Sequence, residues 1–164
     1  VDYRLRTMEK METFLVPADE EADRKMAADF RQIAALDGEA GTISVLGREI
    51  KVIREAPGVA WFHFDDLCRS ARSQNDYLEI AREHHTVMIS GVPKMGAGEA
   101  SEARRFTWLI DVLYDQRVKL VMSAEVEAHD LYREGHNAQE FVRTVSRLIE
   151  MRSREYLAEA HRVD

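Results

Sequence analysis

From Ala103 to Glu125 the chain reads ARRFTWLIDVLYDQRVKLVMSAE, and this stretch constrains its fold more tightly than any other. Phe106, Leu109, Ile110, Leu113 and Tyr114 fall at i, i+3, i+4, i+7 and i+8, one continuous apolar stripe that predicts a helix with a buried face. After Asp115, Gln116 and Arg117 the period changes. Val118, Leu120, Val121 and Met122 form a nearly continuous apolar run, the pattern of a strand covered on both faces. A helix followed by a buried strand predicts parallel α/β packing, and the strand's end in small polar residues raises the question of a phosphate-holding loop.

The same reading extends along the chain. Asp2 to Arg6 alternates as a strand does, and Phe14-Leu15-Val16 forms a short apolar run before Pro17. Asp19, Glu20 and Glu21 favour a helix N-terminus, and Ala22, Met26, Phe30, Ile33 and Ala34 make its face, ending near Gly38. Thr42 to Ile53 alternates around Gly47-Arg48, which predicts a β-hairpin with a type II′ turn. Pro57-Gly58 then precedes an aromatic strand, Val59 to Phe64, and a helix over Leu67 to Glu83. Thr86 to Ser90 reads as the next strand, followed by KMGAGEASE, whose small residues suit a linker or mobile connection. A last helix, about Ala138 to Ala160, places Phe141, Val145, Leu148, Ile149 and Tyr156 inward and sets Arg143 and Arg147 one turn apart. From Val59 the order is β-α-β-α-β-α, which implies right-handed crossovers and a mostly parallel sheet.

The totals set bounds. At 164 residues, 45% hydrophobic, the chain can bury one real core. Its net charge of -7 argues against a sequence-independent grip on nucleic acid, which depends on Lys and Arg neutralising phosphates. No run approaches the roughly 20 apolar residues of a membrane span. Cys68 is the single cysteine, so no intrachain disulfide forms. The opening VDYRLR lacks an initiator Met and reads as a cut inside a longer protein.

Four ordered blocks carry a resemblance: VDYRLR, DDLCRSARSQNDYLEIAREHHTVMISGVP, EARRFTWLIDVLYDQRVKLVMSAE and FVRTVSRLIEMRSREYL. Together they resemble the C-terminal region of the ZapE-type cell-division ATPases and their mitochondrial relatives, P-loop ATPases of the AAA+ group. The likeness runs from Val1 to about Leu157 and is weakest over Glu9 to Gly58. It implies that the Walker A and Walker B motifs lie upstream. The residues agree, because no G-x-x-x-x-G-K-S/T occurs and GAGEAS lacks the lysine. The expected fold is α/β: a mostly parallel sheet flanked by helices, P-loop NTPase-like but lacking the phosphate loop. An N-terminal helix and β-hairpin (1–58) pack on the β-α-β-α-β-α unit (59–164). That unit reads as a degenerate copy of a P-loop unit, with DDLCRSARSQNDY where phosphate-binding glycines would stand. Antiparallel pairing among its three strands would contradict that reading.

Within this chain no residue is assigned a catalytic role. Arg104, Arg105, Arg143 and Arg147 are the candidate phosphate-facing or interface-facing groups, since guanidinium groups stabilise charge on transferring phosphoryl oxygens. The competing structural readings pair Arg104 and Arg105 with Glu99 and Glu102, and Arg143 and Arg147 with Glu140, Glu150 or Asp111. Asp65 and Asp66 precede a helix and read as caps. His84 and His85, lacking further ligands nearby, predict no metal; His63 reads as half-buried, and His129, His136 and His161 are dispersed. Cys68 reads as an ordinary buried thiol and Asp111 as a boundary residue. Trp108 and Val112 share a second side of the opening helix and suggest another layer or a partner.

The resemblance implies ATP hydrolysis with magnesium in the full-length protein and no cofactor on this fragment. It also implies an upstream ATPase core, a homo-oligomer, and protein clients such as division-ring components, in the cytoplasm or, for a eukaryotic relative, the mitochondrion. Two alternatives stand beside it: an interaction module with no nucleotide role, and a small enzyme acting on an anionic substrate through its Arg and His residues.

Overall fold

A computed structural model describes Met8 and residues 11–163. The predicted strand at Asp2 to Arg6 lies outside the described residues. The elements are β1 (Phe14–Leu15), α1 (Glu20–Ala34), β2 (Glu39–Val45), β3 (Arg48–Ala56), β4 (Val59–His63), α2 (Phe64–Cys68), α3 (Gln74–Glu83), β5 (Thr86–Val92), α4 (Ala100–Asp115), β6 (Lys119–Ala124), α5 (Phe141–Glu150) and α6 (Arg154–Ala158). Among the described residues six strands form one sheet in the order β1-β6-β5-β4-β3-β2. β1, β6, β5 and β4 pair in parallel, as the period change after Asp115 predicts, whereas β3 and β2 continue the sheet as an antiparallel meander. The strands expected to hold Val59, Val87 and Val118, observed as β4, β5 and β6, are therefore not antiparallel to one another. The boundary drawn at residue 58 falls in the Pro57-Gly58 turn between β3 and β4, so the hairpin is the edge of the same sheet.

Alternation along the central strands sorts the core into two layers. Ala60 and Phe62, Val87 and Ile89, Leu120 and Met122 face α2 to α5, while Val59, Trp61, Met88 and Val121 face α1 through Met26 and Phe30. Burial on both faces is why β5 and β6 read as apolar runs. Asp19 caps α1 by accepting the Ala22 N–H at 2.9 Å. At its far end Gly38 has φ +74°, and an added Cβ would lie 2.6 Å from the Phe30 ring, so only glycine fits there.

Four local expectations are corrected. Leu46 and Gly47 occupy the hairpin turn, both at positive φ, which is type I′ rather than II′ and matches the strands' right-handed twist. The helix expected over Leu67 to Glu83 is two helices, because Ser73 and Asp76 form a capping box that starts α3 afresh. The last helix is likewise divided: Ser153 accepts the Tyr156 N–H at 3.1 Å and begins α6. Ile149, expected inward, is 57% exposed, and Thr144 is buried on α5 instead.

Asp29 is half-buried on α1, where burial first and Glu12 second push its carboxyl up to about 6. Its ordinary value is about 3.9. The folded state then holds the proton more tightly than the unfolded state, so ionisation above about pH 6 costs stability, and that cost is relieved as pH falls through 6. Asp29→Asn is expected to stabilise the fold by about 1–3 kcal/mol at pH 7.5 and by much less at pH 4.5. Urea midpoints at the two pH values check this; an equal gain at both would contradict it.

Candidate functional site

Of the candidate arginines, two buttress neighbouring elements and two are exposed without an ion-pair partner among the described residues. Arg104 and Arg105 are consecutive on α4 and so point about 100° apart. Arg105 is half-buried and donates to the Cys68 carbonyl at 2.9 Å, tying α4 to the C-terminus of α2, where a cation is favoured. Arg104 is exposed, its guanidinium 5.2 Å from the centroid of the Trp108 ring one turn on. Neither pairs with Glu99 or Glu102. Glu99 instead pairs with Arg69 at 3.4 Å and accepts the Gly96 N–H at 3.1 Å.

On α5, Arg147 pairs with Asp111 of α4 and lies 4.8 Å from the centroid of the Tyr114 ring. Thr144 and Thr107 hydroxyls meet at 3.3 Å, and Tyr114 donates to Glu150 at 2.6 Å, so the α4–α5 seam is bonded along its length. Arg143 is exposed, with no side-chain partner among the described residues. Arg147 and Asp111 are 19% and 30% exposed, so a double-mutant cycle to alanine is expected to show a coupling of about 1 kcal/mol. A coupling near zero in thermal or urea unfolding would contradict the seam.

The carboxyl ends of β4 and β5 are where a parallel α/β sheet presents ligand sites. Here His63 Nδ1 accepts the Asp65 N–H at 3.1 Å and caps α2, a role the sequence assigns to Asp65 and Asp66. The two aspartates lie inside the first turn, and Asp65 pairs with Arg69 at 3.3 Å. The His63 ring covers Gly91, whose N–H donates to Ser123 Oγ at 3.0 Å. Trp61 Nε1 donates to Ser90 Oγ at 2.6 Å. The β4–α2 junction thus carries Phe64, Asp65 and Asp66 where a phosphate cradle would need glycine amides, as the sequence predicts.

No group of three His, Cys, Asp or Glu side chains suited to a metal occurs among the described residues. His84 is buried, bonded to the Ile80 carbonyl and to Glu55, each at 2.8 Å. Burial pushes the Cys68 thiol up to about 12, which suits a packed rather than a nucleophilic thiol. KMGAGEASE, read as a linker or mobile connection, is tied at Met95, which is buried and whose N–H donates to the Leu131 carbonyl at 2.8 Å.

Arg104 stands at the lip of a cavity of about 260 Å³ between α4 and the start of α5, floored by Ala103, Trp108, Tyr132 and Phe141. Arg143 does not line it, so the structure does not gather the four arginines into one site. Sequence reasoning placed Trp108 on a second side of α4, weighed Glu140 only as an ion-pair partner for Arg143 or Arg147, and missed Tyr132. These come from the irregular segment between β6 and α5, which carries no periodic signal. Among the described residues no helix is long and apolar enough to cross a membrane.

Residues 1–160 match the AFG1-like ATPase family. The chain is 39% identical over 162 residues to cell division protein ZapE of Escherichia coli strain K12, covering 98% of this chain and 43% of that protein. It is 33% identical over 138 residues to an uncharacterized protein of Schizosaccharomyces pombe, covering 80% of this chain and 30% of that one. Over 192 aligned positions it is 30% identical to lactation elevated protein 1 homolog B of Danio rerio, covering 95% and 38%. The chain spans less than half the length of these relatives. No solved structure matches it significantly. The family match runs from the first residue through α6, across both layers of the core, and the chain belongs to the AFG1-like ATPase family.

Proposed function

We propose that this chain is the C-terminal α/β part of an AAA+ ATPase whose ATP- and magnesium-binding core lies upstream. In this reading it supports that core, sibling subunits or protein clients. By analogy with the Escherichia coli relative, a bacterial protein of this kind acts in cell division, on division-ring components in the cytoplasm; a eukaryotic one acts in the mitochondrion. The observation that carries the reading is the β4–α2 junction, where Phe64, Asp65 and Asp66 leave no glycine-rich cradle in a chain matching an ATPase family along its length. Arg104 and Arg143, both exposed and without an ion-pair partner among the described residues, are the candidates for touching the core or a client, whereas Arg105 and Arg147 act as buttresses.

The test has two arms. Titration calorimetry of the 164-residue chain with ATP and ADP, each with magnesium, is expected to give no binding; micromolar binding would contradict the reading. ATP turnover by the full-length protein is expected to change on Arg104→Ala or Arg143→Ala, or when the domain is removed. Unchanged turnover in all three would favour the second reading, an interaction module with no nucleotide role. The apolar cavity beside Arg104 favours that alternative, which predicts client capture regardless of nucleotide.

A further inference from the structure

We propose that the cavity between α4 and the start of α5 receives the C-terminal residue of a polypeptide. The terminal side chain is apolar and enters the cavity, the α-carboxylate lies on Arg104, and the terminal residue's amide N–H donates to Glu140. This deepens the client-contact part of the proposed function and rests on it.

Size, floor and charge point to this class of ligand. A cavity of about 260 Å³ lies below the roughly 300–1,000 Å³ of drug-sized ligand sites. It suits one residue rather than a base, ribose and triphosphate together. Its floor of Ala103, Trp108, Tyr132 and Phe141 is apolar and aromatic, which rewards an aliphatic or aromatic side chain. The lip carries one cation and one anion, Arg104 and Glu140, and neither has an ion-pair partner among the described residues. A ligand that presents an anion and a hydrogen-bond donor on either side of an apolar group satisfies both, and the last residue of a peptide does so.

A phosphate dianion would meet the same single guanidinium but would bring neither an N–H donor for Glu140 nor an apolar group for the floor. Arg104 also lies 5.2 Å from the centroid of the Trp108 ring, a contact that restrains the guanidinium before a ligand arrives and lowers the entropic cost of a bidentate bond to carboxylate. Trp, Tyr and Arg are the side chains that most often carry binding energy in protein interfaces.

Fluorescence anisotropy with the 164-residue chain tests the proposal. The probes are fluorescein-labelled peptides with a common Gly-Ser stem and each of the twenty residues at the last position, made as free acids and as C-terminal amides. The expected result is binding of free acids ending in leucine, phenylalanine or similar residues, with amides weaker by roughly tenfold or more. Arg104→Ala, at an exposed position, is expected to lose a similar factor with an unchanged unfolding midpoint. Glu140→Gln loses less, and Arg24→Ala, on the exposed side of α1 beneath the opposite face of the sheet, loses nothing. No binding by any free acid would overturn the proposal. So would equal binding of acid and amide, which would mean an internal segment occupies the groove. Displacement of the probe by inorganic phosphate or by a free amino acid at equal concentration would also overturn it, as would an unaffected Arg104→Ala. Because ATP turnover is read on the full-length protein, failure here with turnover still dependent on the domain sinks only this inference.

Discussion

Phe106→Ala is expected to destabilise the fold by about 3–5 kcal/mol, the range for emptying a buried aromatic position. Phe106 is fully buried on α4, with its ring centroid 6.0 Å from Phe64 at the start of α2 and 6.3 Å from Phe141 at the start of α5. Three helices therefore meet on one side chain, and none can close the gap without leaving its contacts on the sheet. Phe106→Leu keeps most of the volume and is expected to cost about 1–2 kcal/mol. Urea unfolding should show the midpoint falling at constant slope, since a cavity changes stability without changing the surface exposed. Phe141 also floors the cavity beside Arg104, so peptide binding should weaken in the alanine variant even where the protein remains folded. A loss below about 1.5 kcal/mol would mean that α5 relaxes inward and that the three-helix junction is not rigid.

What was legible in the sequence was periodicity. Phe106, Leu109, Ile110 and Leu113 declare α4, and Leu120 to Met122 declare β6, because burying a stripe or a two-sided strand leaves no freedom in residue type. The helix breaks were hidden for a physical reason. Ser73 and Ser153 start new helices in stretches, 69–73 and 151–153, that hold no Gly or Pro, so apart from the cap itself nothing in residue type marks where the backbone restarts. The turn was misjudged because Leu46, not Arg48, shares it with Gly47, and a leucine at positive φ is uncommon. Of the site, the absence of a phosphate loop was legible, since it needs particular residues at fixed spacing. The cavity was not, because Tyr132 and Glu140 reach Trp108 only through the folded path between β6 and α5. Nor did sequence distinguish the arginines: Arg143 and Arg147 look alike, and only the position of Asp111 on the neighbouring helix makes one a buttress.

Lys119→Met is expected to cost about 2–4 kcal/mol, the effect of removing charge-assisted bonds and leaving buried acceptors unpaired. Lys119 opens β6 as the one charged residue in an apolar run, and it is only 9% exposed. Its ammonium donates to the carbonyls of Glu159 at 2.6 Å, Tyr156 at 3.1 Å and Arg117 at 3.3 Å, and it lies 4.9 Å from the centroid of the Tyr156 ring. Tyr156 answers from α6, its hydroxyl donating to the Val118 carbonyl at 2.6 Å. The end of α6 is thus held by a cation at its last carbonyls, the place where a positive charge is most favourable. Methionine keeps most of the stem and its packing, so the loss isolates the ammonium's bonds rather than a cavity. Beyond α6 the tail is tied down by the Arg162 N–H, which donates to the Gln116 carbonyl at 2.7 Å, and by His161, 2.6 Å from the Ala81 carbonyl. Amide exchange should accordingly accelerate over residues 154–163 in the variant before the sheet is affected. A variant within about 0.5 kcal/mol of the parent, with the tail still protected, would mean that Tyr156 packing rather than the lysine holds α6 to β6.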